Sequence, residues 1–243
     1  MGNVLPFNKY FASQGYVVFD IQYGVYGISA LADEMGGFGD AFSMIRDLIT
    51  PPYNQSYTIQ QQLENIGYFT KVLEQNNTKY GADLNHTFIV GRSAGGHMAS
   101  MVTYGYKNPL FAGNFSTSMN ITAGIWFYPP TNLTKLESTF FDLLLQGTLP
   151  LPRQYDKFSA SFLIDNSTVT PPVMIVSGEK DMMVNYPSQV VEYYQYARGL
   201  GKKCLLITIP WAGHAFDINF QTYGGQMSTY YIERFMALEL LGG

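Results

Sequence analysis

The chain has 243 residues, 47% of them apolar and 16% aromatic, which suits one globular domain with a sizeable core and excludes a disordered chain. Charged residues make up only 13%, the formal net charge is -4 and no basic run occurs, so nucleic acid and anionic membrane surfaces are poor partners and a small neutral substrate fits better. No apolar run reaches bilayer length, no cleavable leader is visible, and Pro6 stands where a myristoylation pattern needs Ser or Thr.

Along the chain, strand and helix patterns alternate, which predicts a single α/β domain over residues 1–243 with a mainly parallel sheet. Tyr16 to Ile21 reads as a strand after Gly15. Ala41 to Ile49 reads as a helix stopped by Pro51-Pro52. Ile59, Leu63, Ile66, Phe69 and Leu73 recur at helical spacing, so a long amphipathic helix is expected from Ser56 to about Tyr80, ended by Gly81. Thr87 to Val90 is a strand and His97 to Tyr104 a helix. Ala123 to Tyr128 is a strand closed by Pro129-Pro130. Residues 131–170 hold a helix-like piece from Leu136 to Leu145, then Pro150 and Pro152, and read as a cap-like excursion or a plain surface connection. Pro172 to Ser177 is a strand, Ser188 to Leu200 a helix, Cys204 to Ile209 the last strand and Tyr230 to Leu241 a closing helix. No repeat, low-complexity tract or linker divides the chain.

Between the strand at Thr87–Val90 and the helix at His97–Tyr104 lies Gly91-Arg92-Ser93-Ala94-Gly95-Gly96, a G-x-S-x-G pattern in the context of a nucleophile elbow. In that turn the serine hydroxyl is exposed at the carboxyl edge of the sheet, and the N–H of Ala94 points to the same place from a helix N-terminus. A serine needs a base, and the base an orienting carboxylate. The three histidines are His86, His97 and His214. His214 follows the last strand and is the expected base. His97 lies one turn into the elbow helix and reads as packing, and His86 as incidental surface. Asp181 follows the strand at Pro172–Ser177 and is the expected carboxylate, with Glu179 and Asp217 as its rivals. The order Ser93, Asp181, His214 is that of α/β-hydrolases, and each member follows its own strand.

Gly91-Arg92-Ser93-Ala94-Gly95-Gly96-His97-Met98-Ala99 resembles the elbow of the hormone-sensitive-lipase-like and feruloyl-esterase-like branch of the α/β-hydrolases. Gly15 to Tyr23, Lys79-Tyr80-Gly81-Ala82-Asp83, Gly178-Glu179-Lys180-Asp181 and Gly213-His214 are similar to other segments of that branch. The resemblance covers nearly the whole chain. It implies the α/β-hydrolase fold and hydrolysis of carboxylic esters through an acyl-enzyme, with no cofactor and no metal. That branch also carries a His-Gly-Gly segment that completes the oxyanion hole, upstream of the strand matching Tyr16–Ile21. Met1 stands after that point, so the expectation is an N-terminally truncated domain in which Ala94 is the one assignable oxyanion donor.

The alternatives are a serine peptidase of the same fold and, in another class, a catalytically impaired hydrolase-fold protein that binds at surfaces. Tyr128 and Trp211, aromatics at presumed active-site strand ends, are candidates for lining a substrate pocket. Cys204 lies in an apolar strand, without a disulfide or metal-ligand companion, and reads as structural. Seven of the fourteen asparagines head Asn-x-Ser/Thr sequons (Asn54, Asn76, Asn85, Asn114, Asn120, Asn132 and Asn166), where chance gives roughly two. That enrichment points to an extracellular or cell-surface location, with the cytoplasm as the alternative. The oligomeric state is left open, a homodimer included.

Overall fold

The computed structural model describes residues 4–24, 57–136 and 154–242. The helix expected at Ala41–Ile49, most of the one at Leu136–Leu145, the middle of the 131–170 excursion and the Asn54 sequon lie outside these residues. Among the described residues four strands form one parallel sheet in sequential order: β1 (Thr87–Arg92), β2 (Ile121–Phe127), β3 (Val173–Gly178) and β4 (Cys204–Ile209). All four coincide with predicted strands to within two residues.

The sheet is covered on both faces, which is why β2 and β3 are almost continuously apolar and buried. Side chains alternate between two cores. Trp126, Val173 and Ile175 face one, shared with helix α2 (Ile59–Tyr80), helix α3 (Ala94–Gly105) and helix α4 (Glu192–Gly199), which a π-helical turn at Tyr186–Val191 precedes. Ala123, Ile125, Phe127, Met174 and Val176 face the other, shared with helix α1 (Leu5–Ser13) and helix α5 (Tyr223–Leu240). The period of two along each strand carries both cores at once.

Helix α2 starts at a capping box, in which the Thr58 hydroxyl accepts from Gln61 N–H while the Gln61 side chain accepts from Thr58 N–H. It ends at Gly81, whose φ of 64° is the left-handed cap that glycine takes without strain. Helix α5 begins seven residues before the predicted start, because Thr222 caps it at Gly225 N–H and tertiary packing overrides the poor helix propensity of Gly224 and Gly225. Among the described residues no helix is long and apolar enough to cross a membrane.

Among the described residues, one predicted strand, Tyr16 to Ile21, is not formed. Residues 16–24 take no regular secondary structure, and Val17 and Val18 are exposed. Their apolar neighbours pack instead: Phe19 lies against the rings of Phe69 and Tyr80, and Tyr16 against Phe88. A β-rich composition makes a strand only where another backbone offers hydrogen bonds, and here no described strand does.

The sequons are used unevenly by the fold. The Asn76 amide donates to Val72 C=O, that of Asn120 to Asn85 C=O, and that of Asn114 is buried without a partner. Asn132 caps a short turn through its side-chain oxygen, while Asn85 and Asn166 are exposed.

Candidate active site

Ser93 sits between β1 and α3 at φ 53° and ψ -122°. That is the conformation glycine favours at the first central position of a type II′ turn, and it is strained for serine. Neighbouring glycines permit it. A Cβ on Gly91 would lie 2.0 Å from Gly95 O, and one on Gly96 would lie 2.8 Å from Phe127 O. Strand and helix therefore pass at a distance that admits no side chain. Ser93 N–H donates to Phe127 C=O at 3.0 Å and ties the turn to β2.

His214 lies on the loop after β4 and Asp181 on the loop after β3. His214 Nε2 is 2.8 Å from Ser93 Oγ, and His214 Nδ1 is 2.7 Å from Asp181 Oδ2. The Asp181 side chain is fully buried, and its other oxygen accepts from Met183 N–H and Val184 N–H, both at 2.9 Å. An ionised carboxylate only accepts, so Nδ1 carries the imidazole proton and Nε2 is left to accept from the serine hydroxyl. The two loops are laced together by Glu179 N–H to Ile209 C=O and Lys180 N–H to Ala212 C=O. The structure thus brings together the three residues singled out in the sequence.

The N–H of Ala94 is at the first position of α3, where no intrahelical acceptor exists. The Tyr23 hydroxyl lies against the same turn, 3.4 Å from where a Gly95 Cβ would be, and burial pushes its pKa up to about 12, so it stays protonated. No motif in the sequence marks Tyr23 as a neighbour of the elbow.

The rival carboxylates go elsewhere. Glu179 pairs with Lys180 at the surface. Asp217 is buried, accepting from Arg92 Nε at 2.5 Å and from the Tyr128 hydroxyl at 2.7 Å. Tyr128 corrects the pocket expectation: it is 1% exposed, and its ring lies against His214 with centroids 4.5 Å apart, so it offers almost no surface to a substrate. Trp211 is 84% exposed at φ 58°, in the Ile209–Ala212 turn closed by Ala212 N–H to Ile209 C=O.

His86 is at the surface, paired with Asp83. His97 is buried, and its Nε2–H donates to Phe158 C=O at 2.7 Å. Burial holds its pKa below the ordinary value of 6.5. The unfolded chain therefore binds this proton more readily than the folded one. The associated stability is present in full above about pH 6.5 and is lost as the pH falls through the lower folded value. His97→Gln is expected to flatten the fall of Tm with pH between about pH 7 and 5, measured by thermal melts; an unchanged slope would assign the fall to other groups.

Cys204 is buried, with a thiol pushed up to about 12 by desolvation, which makes it inert packing. Among the described residues no cluster of His, Cys, Asp or Glu is arranged to hold a metal ion. An open groove at the opposite, amino-terminal edge of the sheet, lined by Asn85, Lys107, Asn120 and Pro172, contains none of Ser93, Asp181 and His214.

The BD-FAE family model matches residues 53–194, over half the chain. A probable carboxylic ester hydrolase, LipM, of Mycobacterium tuberculosis is 26% identical over 150 residues, which cover 58% of this chain and 35% of that protein. An acetylxylan esterase of Xylanibacter ruminicola is 25% identical over 150 residues, covering 60% of this chain and 29% of that protein. The chain thus spans about a third of the length of these curated relatives. Among solved structures, esterase B from Lactobacillus rhamnosis superposes with a TM-score of 0.66 at 19% identity, covering 76% of this chain and 64% of that one. The parallel sheet, the helices on both its faces and these likenesses agree: the chain has the α/β-hydrolase fold and belongs to the BD-FAE family.

Proposed function

We propose that the protein is a serine carboxylesterase acting on small neutral esters. The observation that carries this reading is the unbroken line Ser93–His214–Asp181, with both hydrogen bonds between 2.7 and 2.8 Å. His214 takes the Ser93 proton as Oγ attacks the ester carbonyl, and Asp181 holds the imidazole tautomer and stabilises the imidazolium. The Ala94 N–H, at the positive end of α3, donates to the oxyanion. His214 then returns the proton to the leaving alcohol, and water repeats the sequence on the acyl-enzyme. Low charge and an exposed Trp211 beside the base loop support a neutral substrate with some apolar surface. The names of both curated relatives denote ester hydrolysis, which supports esters over peptides.

The test is turnover of p-nitrophenyl acetate together with labelling by a fluorophosphonate. Saturable hydrolysis and a single adduct mapped to Ser93 are expected. A folded protein that neither turns over the ester nor takes the label refutes the proposal. Preferential cleavage of an aminoacyl anilide would move it to peptidases.

A further inference from the structure

The two hydrogen bonds of His214, at Nδ1 and Nε2, define a line through its ring and do not by themselves fix how the ring is tipped about that line. The loop that carries it is strained at Trp211 and Ala215, with φ of 58° and 59°, so the base is not set by relaxed backbone. The imidazole packs against Tyr128, whose ring is tilted 60° to it with centroids 4.5 Å apart. Tyr128 is itself held at φ 37°, a conformation a bulky residue adopts only when its surroundings demand it.

Those surroundings form a chain of contacts. The Tyr128 hydroxyl, kept protonated by burial, donates to Asp217 Oδ1. Asp217 Oδ2 takes the Arg92 guanidinium, which lies 4.4 Å from the ring of Phe7 and 4.5 Å from that of Phe127. Arg92 directly precedes the nucleophile, and Asp217 stands three residues after the base. The elbow and the base loop are therefore joined behind the triad, by a route that uses neither Ser93 nor Asp181.

We propose that Arg92, Asp217 and Tyr128 are positioning residues which hold the His214 ring on the line between Ser93 and Asp181. The inference rests on the esterase reading for its kinetics and on geometry alone for its spectroscopy. Tyr128→Phe keeps the ring and removes the hydroxyl, leaving the ring unpinned. It is expected to lower kcat for p-nitrophenyl acetate about tenfold with KM within about twofold, while Tm stays within about 3 °C. The downfield proton resonance of His214 Nδ1–H is expected to broaden through faster exchange. Asp217→Asn, which keeps an acceptor oxygen, should retain more activity than Asp217→Ala, and Tyr128→Phe combined with Asp217→Ala should lose no more than Asp217→Ala alone. Wild-type kcat and an unaltered resonance in Tyr128→Phe would overturn the proposal. So would a loss of rate that only accompanies loss of the fold. The resonance reads out even if the wild type turns over no ester, and that second failure would count against the esterase reading alone.

Discussion

Ser93→Ala is expected to lower kcat/KM for p-nitrophenyl acetate by at least about 10⁴-fold without unfolding the protein. Alanine keeps the Cβ, so the strained φ of 53° and the bond from residue 93 N–H to Phe127 C=O persist. Only the hydroxyl that meets His214 is lost. His214→Ala should cost a comparable factor, and the double variant no more than either single one, because base and nucleophile act as one unit. A third variant separates chemistry from strain. Ser93→Gly removes the same hydroxyl but relieves the backbone, so it should be as inactive as Ser93→Ala while melting at a higher temperature. Near wild-type turnover in Ser93→Ala would place the reaction outside this elbow. A Ser93→Gly protein that melts below Ser93→Ala would show that the turn stores no strain.

The meeting of Ser93, Asp181 and His214 was legible because each follows its own strand, and a parallel sheet delivers all its carboxyl-terminal loops to one edge. Placing the strands was enough to place Ser93, Asp181 and His214 together. What stayed hidden depended on pairings far apart in sequence. Arg92 and Asp217 are 125 positions apart, and only packing tells which of several surface-like charges is buried against which. Asp217 could be weighed as a rival to Asp181 but not seen as a partner of Arg92, the residue before Ser93. The place of Tyr128 is not legible in sequence, because an aromatic residue at a strand end suits a pocket and a core equally well. Its positive φ is invisible in composition, as is the contact of its ring with His214. Tyr16 to Ile21 fails for a simpler reason: strand propensity states what a segment tolerates, while the ladder that realises it belongs to a neighbouring chain segment.

Gly178→Ala tests whether the contact between the acid and base loops sets the reaction geometry. A Cβ at this position would lie 2.3 Å from Ala212 O and 2.7 Å from Gly213 O. Both are backbone atoms of the loop that carries His214, so relief requires the loop itself to move. A displacement near 1 Å at a reacting group costs about 10²-fold in rate, and the variant is expected to lose at least that much kcat. Its stability should fall by only about 1–3 kcal/mol, as for an overpacked site. Gly213→Ala is the control on the same loop. Its nearest non-neighbouring atom would be Lys180 O at 3.9 Å, ordinary contact, and kcat should stay within a few-fold of wild type. Gly91→Ala marks the other extreme. Its Cβ would meet Gly95 O at 2.0 Å and Ala99 Cβ at 2.9 Å, wedging β1 from α3, and the main expected effect is a lower Tm or insoluble protein. Measured together, kcat and Tm for these three variants distinguish a loop that merely packs from one whose closeness positions the base. If Gly178→Ala keeps wild-type kcat, the 2.3 Å approach is incidental and His214 is held from elsewhere.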